Sequence, residues 1–301
     1  MTTEISLTTV ADLPPDVSPI HPKSRRRIGR RWRWQLWHLF LVPFCFVWIY
    51  PFLWMVFSAF KTPQEMLLGG AGLWPQEWTL DNFVRAWTVG RFGDYTLNTI
   101  IFSIVVVVLM VVTSSLAGYA LSRPLPGKKV IIGVMVGAML VPAGYTIIPV
   151  FLLVSALHLQ NGLFGAALAQ AAPGLVVPVL LYMGFFNGIP AELREAATLD
   201  GAGYMRTFFS VMLPLARPVT GTVVLMNFIG AWNAFLVPLV FTLGNPELRT
   251  LGVGMYNFFG TDTTDWAGLA AGATISVVPI VIVFLFLQRS FVEGVAGAVK
   301  S

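Results

Sequence analysis

The chain has 301 residues, of which 56% are hydrophobic and only 11% charged, and its formal net charge is +5. A soluble domain carries about 25% charged residues, so this composition excludes an ordinary soluble enzyme or binding module and points to a membrane protein. The excess positive charge follows from where it lies along the chain, and no nucleic acid is expected as a partner.

Residues 1–35 read as a disordered, basic cytoplasmic tail. The first part is rich in Pro, Thr and Asp, and SRRRIGRRWRW follows over residues 24–34. That run has the chemistry to bind a phosphate backbone. Directly before an apolar segment, it also reads as an anchor at the membrane surface, with Trp32, Trp34 and Trp37 at the lipid interface. A cleavable signal peptide is not expected, because the basic and apolar stretches are too long and no A-x-A site follows.

A helix that crosses a bilayer needs about 20 apolar residues. Uncharged windows of that size lie at 35–60, 95–122, 130–191, 218–246 and 266–288. The third is too long for one helix and breaks at residues 155–162, where Asn161-Gly162 is a turn signal. The expectation is therefore an all-α membrane domain over 36–301. Its six spans fall at about 37–60, 97–121, 130–154, 164–187, 215–241 and 267–288, and Pro142, Pro149, Pro173 and Pro178 should kink the third and fourth of them.

An even number of spans puts both termini on one side. The tail, the 123–129 loop, the 188–217 loop and the C-terminal segment hold 15 of the 19 Lys and Arg. Lys61, Arg85, Arg91 and Arg249 lie on the opposite side, among seven acidic residues. The positive-inside rule then makes both termini cytoplasmic, in a multi-pass protein of a bacterial inner membrane.

The residues that enzyme chemistry requires do not come together. No GxxxxGK[ST] loop is present, and His21, His38 and His158 have no metal-ligand spacing. The single cysteine, Cys45, lies in the first span and reads as a small apolar residue. No catalysis, metal or cofactor is expected within this chain. The spans also lack the ionisable groups that mark an ion-coupled carrier, so energy for any transport would come from outside the chain.

The cytoplasmic loop 188–212 breaks the pattern, because EAATLDGAGYMRTFFSVMLP (residues 195–214) sets Glu195, Asp200 and Arg206 between two apolar spans. Pro190 suits a helix start, and Glu192 lies in the first turn, where the helix dipole favours an anion. Asp200-Gly201 is a stop signal, a second short helix fits 204–212, and Pro214 and Pro218 bend the entry to the fifth span. A helix lying on anionic lipid is normally rich in Lys and Arg. This one is acidic, so it reads either as an amphipathic surface loop or as a docking site in which Glu195 and Asp200 accept charge-assisted bonds.

Glu195-Ala196-Ala197, two residues, Asp200-Gly201-Ala202, eight residues, then Val211 and Leu213-Pro214 resemble the cytoplasmic signature of ABC importer permeases. Val211 stands where that pattern prefers Ile. Thr79-Leu80-Asp81-Asn82-Phe83, Leu97-Asn98-Thr99, Gly118-Tyr119-Ala120-Leu121-Ser122-Arg123 and Ala231-Trp232-Asn233-Ala234-Phe235-Leu236 are similar to segments of the maltose-type sugar permeases, as is the C-terminal 288–300. The resemblance implies one half of a pore. Its partners would be a second, homologous permease, two ATPase subunits that bind ATP and Mg, and an extracytoplasmic solute-binding protein. It also implies that Glu195, Ala196, Ala197, Asp200, Gly201, Ala202, Leu213 and Pro214 couple the permease to an ATPase, and that residues 291–301 reach the same subunit.

Solute contacts are expected from the fifth span, at Asn227, Trp232 and Asn233, because sugars are bound by aromatic faces and amides. The same amides serve equally as links between helices. Tyr256, Phe258 and Phe259 either meet the binding protein or stack among themselves. A permease for another solute, such as a phosphorylated polyol, and a non-ABC carrier or scaffold are the other readings.

Overall fold

The computed structural model describes residues 29–69, 72–259 and 264–299. The expected tail lies outside the described residues as far as residue 28. The chain divides into two units, Met1–Pro51 and Phe52–Ser301, and helix α1 (Gly29–Ser58) begins in the first and ends in the second. Within the first unit the side chains from Trp37 to Tyr50 are exposed and almost wholly apolar. A helix apolar on every side suits a hydrocarbon surround.

The regular structure among the described residues of the second unit is helical, apart from an isolated bridge between Phe259 and Thr264. Two short helices, α2 (Pro63–Gly69) and α3 (Asp81–Thr88), precede the long α4 (Phe92–Leu121). Next come α5 (Lys128–Ala138), α6 (Ala143–Ala156), α7 (Leu163–Gly174) and α8 (Val176–Asn187). The loop helices α9 (Ala191–Leu199) and α10 (Tyr204–Leu215) lead to α11 (Arg217–Trp232) and α12 (Leu236–Thr242). A single turn, α13 (Leu251–Gly254), is followed by the last helix, α14 (Trp266–Val299).

Among the described residues, three helical segments are long and apolar enough to cross a membrane unaided: Trp37–Ser58, Phe92–Leu121 and Trp266–Gln288. Two further candidates are bent pairs, α7 with α8 at 59° and α10 with α11 at 78°. The segment expected as a single span over 130–154 is two helices, α5 and α6. They are parted at 139–142, where Pro142 takes an extended conformation with ψ 129°. Proline has no N–H for the helix ladder and disfavours helical geometry in the residue before it, which explains the break. The fifth segment likewise ends as a helix at Trp232 and resumes at Leu236.

The 78° bend has the same origin. Pro214 has no N–H to give Ser210, and Pro218 has none to give Pro214. A π-helical turn over Phe208–Met212 takes up the misfit on one side, and α11 starts afresh at Arg217 with Pro218 in its first turn. Segment 204–215 therefore runs across the direction of α11 and does not extend it.

Helix α4 runs through all three apolar clusters. Phe92 and Tyr95 pack with Trp232, Leu251, Phe258 and Ala271 at one end. Phe102, Val106 and Met110 meet the alanine face of α7 in the middle. Tyr119 joins Tyr182, Phe186, Phe208 and Met212 at the other end. Small residues let the backbones approach. A Cβ on Gly118 would lie 2.5 Å from that of Tyr182, and one on Gly272 would lie 2.7 Å from the Phe92 ring.

Two asparagines tie the loops to this frame. Asn82 Nδ2 donates to the carbonyls of Ala59 and Lys61 (2.9 and 2.7 Å), closing carbonyls that the end of α1 leaves open. Asn98 Nδ2 donates to the carbonyls of Glu247 and Arg249 (2.7 and 3.0 Å), and Thr99 Oγ1 accepts from the Leu251 N–H at 2.8 Å. Arg85 pairs with Asp265 at 3.2 Å, and Asp265 Oδ1 accepts the N–H of Gly268 at 2.9 Å, capping α14.

Candidate functional site

The loop between α8 and α11 is built as a projecting helix with a fixed root. Pro190 precedes α9 in an extended conformation (φ −52°, ψ 136°), so it stands one residue before the helix and leaves no N–H of its own to satisfy. At the other end Asp200 N–H donates to Ala196 C=O and Gly201 N–H to Thr198 C=O. Ala202 N–H then closes back on Ala197 C=O at 2.9 Å. That closure needs the left-handed backbone at Gly201, φ 77°, which glycine adopts without strain.

Of the residues of α9 only Ala197 is buried, and it faces the bundle. Glu192, Glu195, Ala196, Asp200 and Gly201 are all exposed. The ion pairs Arg85–Asp265, Arg91–Asp94 and Arg91–Glu247 lie elsewhere, and among the described residues none involves Glu192, Glu195 or Asp200. Leu199 is 89% exposed, Met205 56% and Phe209 58%. Free carboxylates beside large exposed apolar side chains make a surface suited to another protein.

The root is the third cluster. Phe208 and Met212 of α10 are buried, and Phe208 lies 5.2 Å from the Tyr119 ring of α4. Thr207 Oγ1 donates to Gly203 C=O at 3.1 Å, holding the first turn of α10. Leu213 is half-buried, whereas Pro214 is exposed at the bend. The signature residues thus divide: Glu195 and the turn at 200–202 project, while the segment leading to Leu213-Pro214 anchors.

A groove of about 560 Å³ separates α9 from the C-terminal end of α4, lined by Arg123, Pro124, Ala191, Arg194, Glu195 and Thr198. Arg194 Nη1 is buried there with no hydrogen-bond partner among the described residues. Burial raises the pKa of the Tyr204 phenol above its usual value, and the neighbouring Tyr119 adds to this, while the positive charge of Arg123 opposes it.

The expected solute contacts are not alike. Trp232 is 3% exposed and its indole N–H donates to Ser276 C=O of α14 at 2.9 Å. Asn227 and Asn233 donate to carbonyls of their own helix, Val223 at 2.8 Å and Ile229 at 2.9 Å. Asn227 is half-buried and Asn233 is exposed. Beside the break after Trp232 lies a cavity of about 400 Å³, lined by Thr146, Gln170, Pro173, Ala234, Phe235 and Phe241. Sequence reasoning passed over Gln170, although it is the one amide in the apolar run of α7 and could have been found on that ground. Of the aromatics expected either to meet the binding protein or to stack among themselves, Phe258 is buried against Phe92 at 5.5 Å, and Tyr256 stacks on Phe235 at 5.2 Å and 13°.

Comparisons with known proteins bear on this arrangement. The family described as binding-protein-dependent transport system inner membrane component matches residues 111–297. The probable ABC transporter permease protein YurM of Bacillus subtilis is 34% identical over 93% of this chain and 91% of its own length. The diacetylchitobiose uptake system permease protein NgcG of Streptomyces coelicolor is 33% identical over 87% of this chain and 86% of its own. A chain from the crystal structure of a bacterial ABC transporter that imports the acidic polysaccharide alginate superposes with a TM-score of 0.76. It covers 91% of this chain and 100% of that one at 23% identity, a likeness of fold.

Proposed function

We propose, for a chain that belongs to the family of binding-protein-dependent transport system inner membrane components, that it is a translocation subunit of an ATP-driven ABC importer for a sugar or sugar-like solute. The observation that carries the mechanism is the loop. α9 is exposed and holds carboxylates without ion pairs among the described residues, and the α10 that follows it is rooted in the bundle through Phe208 and Met212. A partner ATPase that grips α9 would therefore move packed helices along with it.

ATP and Mg are bound and ATP hydrolysed in two such partner subunits, a second permease completes the pore, and an extracytoplasmic binding protein delivers the solute. Glu195, with Ala196 and Ala197 beside it, is the docking surface, and the turn Asp200-Gly201-Ala202 sets its angle. Residues 37–288 cross the inner membrane six times with both termini in the cytoplasm, the third crossing being made by α5 and α6 together.

The relatives named for uptake of a saccharide support the solute class. The uncharged lining of the cavity at Thr146 and Gln170 favours a neutral hydroxylated solute over a phosphorylated one. Asn233, at the rim of the same break, remains our candidate contact, whereas Trp232 would act by holding α11 against α14.

The test is purification in mild detergent with mass spectrometry of co-eluting proteins, wild type beside the Glu195→Ala/Gly201→Pro variant. An ATPase and a second permease are expected with the wild type, and the variant is expected to keep the permease and lose the ATPase. A wild type that elutes alone, or a variant that keeps its ATPase, would overturn the docking role.

A further inference from the structure

We propose that Arg123 is a positioning residue, a strut that carries movement of the α9–α10 loop into the inner end of α4. The inference rests on the reading of that loop as the ATPase docking site. It concerns how the loop is joined to the bundle, which the docking surface alone does not determine.

The loop is linked to its neighbours in sequence through Gly188-Ile189-Pro190 and through the bend at Ala216. These connections lead into α8 and α11, which themselves pack on α4, the helix that passes through all three apolar clusters. The loop also meets α4 directly, through side chains. Tyr119, fully buried, lies 4.9 Å from the Tyr204 ring and 5.2 Å from the Phe208 ring. Tyr204 and Phe208 are four residues apart on one face of α10, so together they straddle Tyr119.

Arg123 closes this arrangement from the solvent side. Its Nη2 donates to the Tyr119 hydroxyl at 2.6 Å. Its guanidinium carbon lies 4.9 Å from the centre of the Tyr119 ring and 4.7 Å from that of Tyr204. One planar cation therefore touches both α4 and α10, and a guanidinium can stack on two rings in a way that a lysine ammonium cannot. Tyr119 is in turn fixed against α8, because Gly118 lets the two backbones meet and Phe186 lies 5.5 Å from the tyrosine ring. Tyr204 is 41% exposed, so without Arg123 this side of α10 would be held by ring contact alone.

The experiment uses the transporter purified with its partner subunits, compared nucleotide-free and trapped with MgATP and vanadate, and reads hydrogen exchange by mass spectrometry. In the wild type, trapping should change exchange both at 191–208 and at 116–128. Arg123→Met keeps the apolar stem and removes the charge, the plane and the donors. It should retain the first change and lose the second, with resting protection of amides 204–208 falling about two- to fivefold, the ratio expected for one cation–π contact at a partly exposed site. Arg123→Lys should fall between the two.

If Arg123→Met does not assemble, Tyr204→Leu removes the same contact from the loop side and is read in the same way. Both changes persisting in the variant that assembles would overturn the strut. So would a wild type that changes at 191–208 alone. A wild type without any change at 191–208 would overturn the docking loop itself, and the strut with it.

Discussion

Two glycines show how differently one residue type is used here. Gly201 has open space where a Cβ would be, and its backbone at φ 77° is what the turn requires. Gly118 has an ordinary backbone, and a Cβ there would meet Tyr182 Cβ at 2.5 Å and Val179 O at 3.0 Å. The second contact is with backbone, so α4 and α8 would have to separate. Gly118→Ala is therefore expected to lose about 1–3 kcal/mol by overpacking, read as a lower midpoint in thermal unfolding of the purified protein. Gly133→Ala adds the same methyl where nothing lies within 4 Å. It should leave the midpoint unchanged or raise it through better helix propensity. Equal losses at the two sites would show that propensity, not contact with α8, governs the result. Gly201 was legible in the sequence because Asp-Gly after a helical run is a local signal. Gly118 was not, because the partner that makes it necessary lies more than 60 residues further along the chain.

At the scale of elements, prolines and single polar side chains set where helices stop and how they are tied. The sequence carried the bend before α11 in Pro214 and Pro218, and the break in α7–α8 near Pro173. Pro142 marked the division between α5 and α6 only as a kink within one span, because hydropathy continues through 139–142 while the backbone does not. Asn82 and Asn98 were visible as parts of recognised segments, but their role, holding carbonyls of α1 and of the 247–249 loop, depends on long-range contacts. Asp265 makes the element scale testable, since it both caps α14 and pairs with Arg85. The side chains of that pair are 42% and 31% exposed, so the pair itself contributes only about 0–1 kcal/mol and is screened by salt. A lost cap costs about 1 kcal/mol whatever the salt. Asp265→Asn keeps an acceptor for the Gly268 N–H and should lower stability slightly, with the loss disappearing at high salt. Asp265→Ala should lower it more, at low and high salt alike. Thermal unfolding of both variants at the two ionic strengths decides this, and an alanine loss that vanishes in salt would mean that the pair matters and the cap does not.

For the molecule as a whole, the question is which segments cross the membrane. The charge asymmetry of the loops fixes an expected side for each one, independent of how many helices are bent. α5 with α6 and α7 with α8 are the critical segments, because neither pair is a single straight helix of spanning length. If both pairs cross, the turn at 157–162 lies outside, while Lys128 and Thr198 lie inside. If both are re-entrant, all three positions lie on one side and the expected side of loop 188–212 is unaffected. Cys45 is the only cysteine and it is exposed on an apolar helix, so Cys45→Ser gives a background for single-cysteine labelling with little effect on packing. In that background Gln160→Cys and Glu247→Cys should react with a membrane-impermeant maleimide in intact cells. Lys128→Cys and Thr198→Cys should react only after the membrane is opened. Labelling of Gln160→Cys only after opening would remove the third and fourth crossings and leave four. Labelling of Thr198→Cys from outside would place α9 beyond reach of any ATPase. The docking loop, the Arg123 strut and the import reading all depend on that one position being cytoplasmic, because ATP is available only on that side.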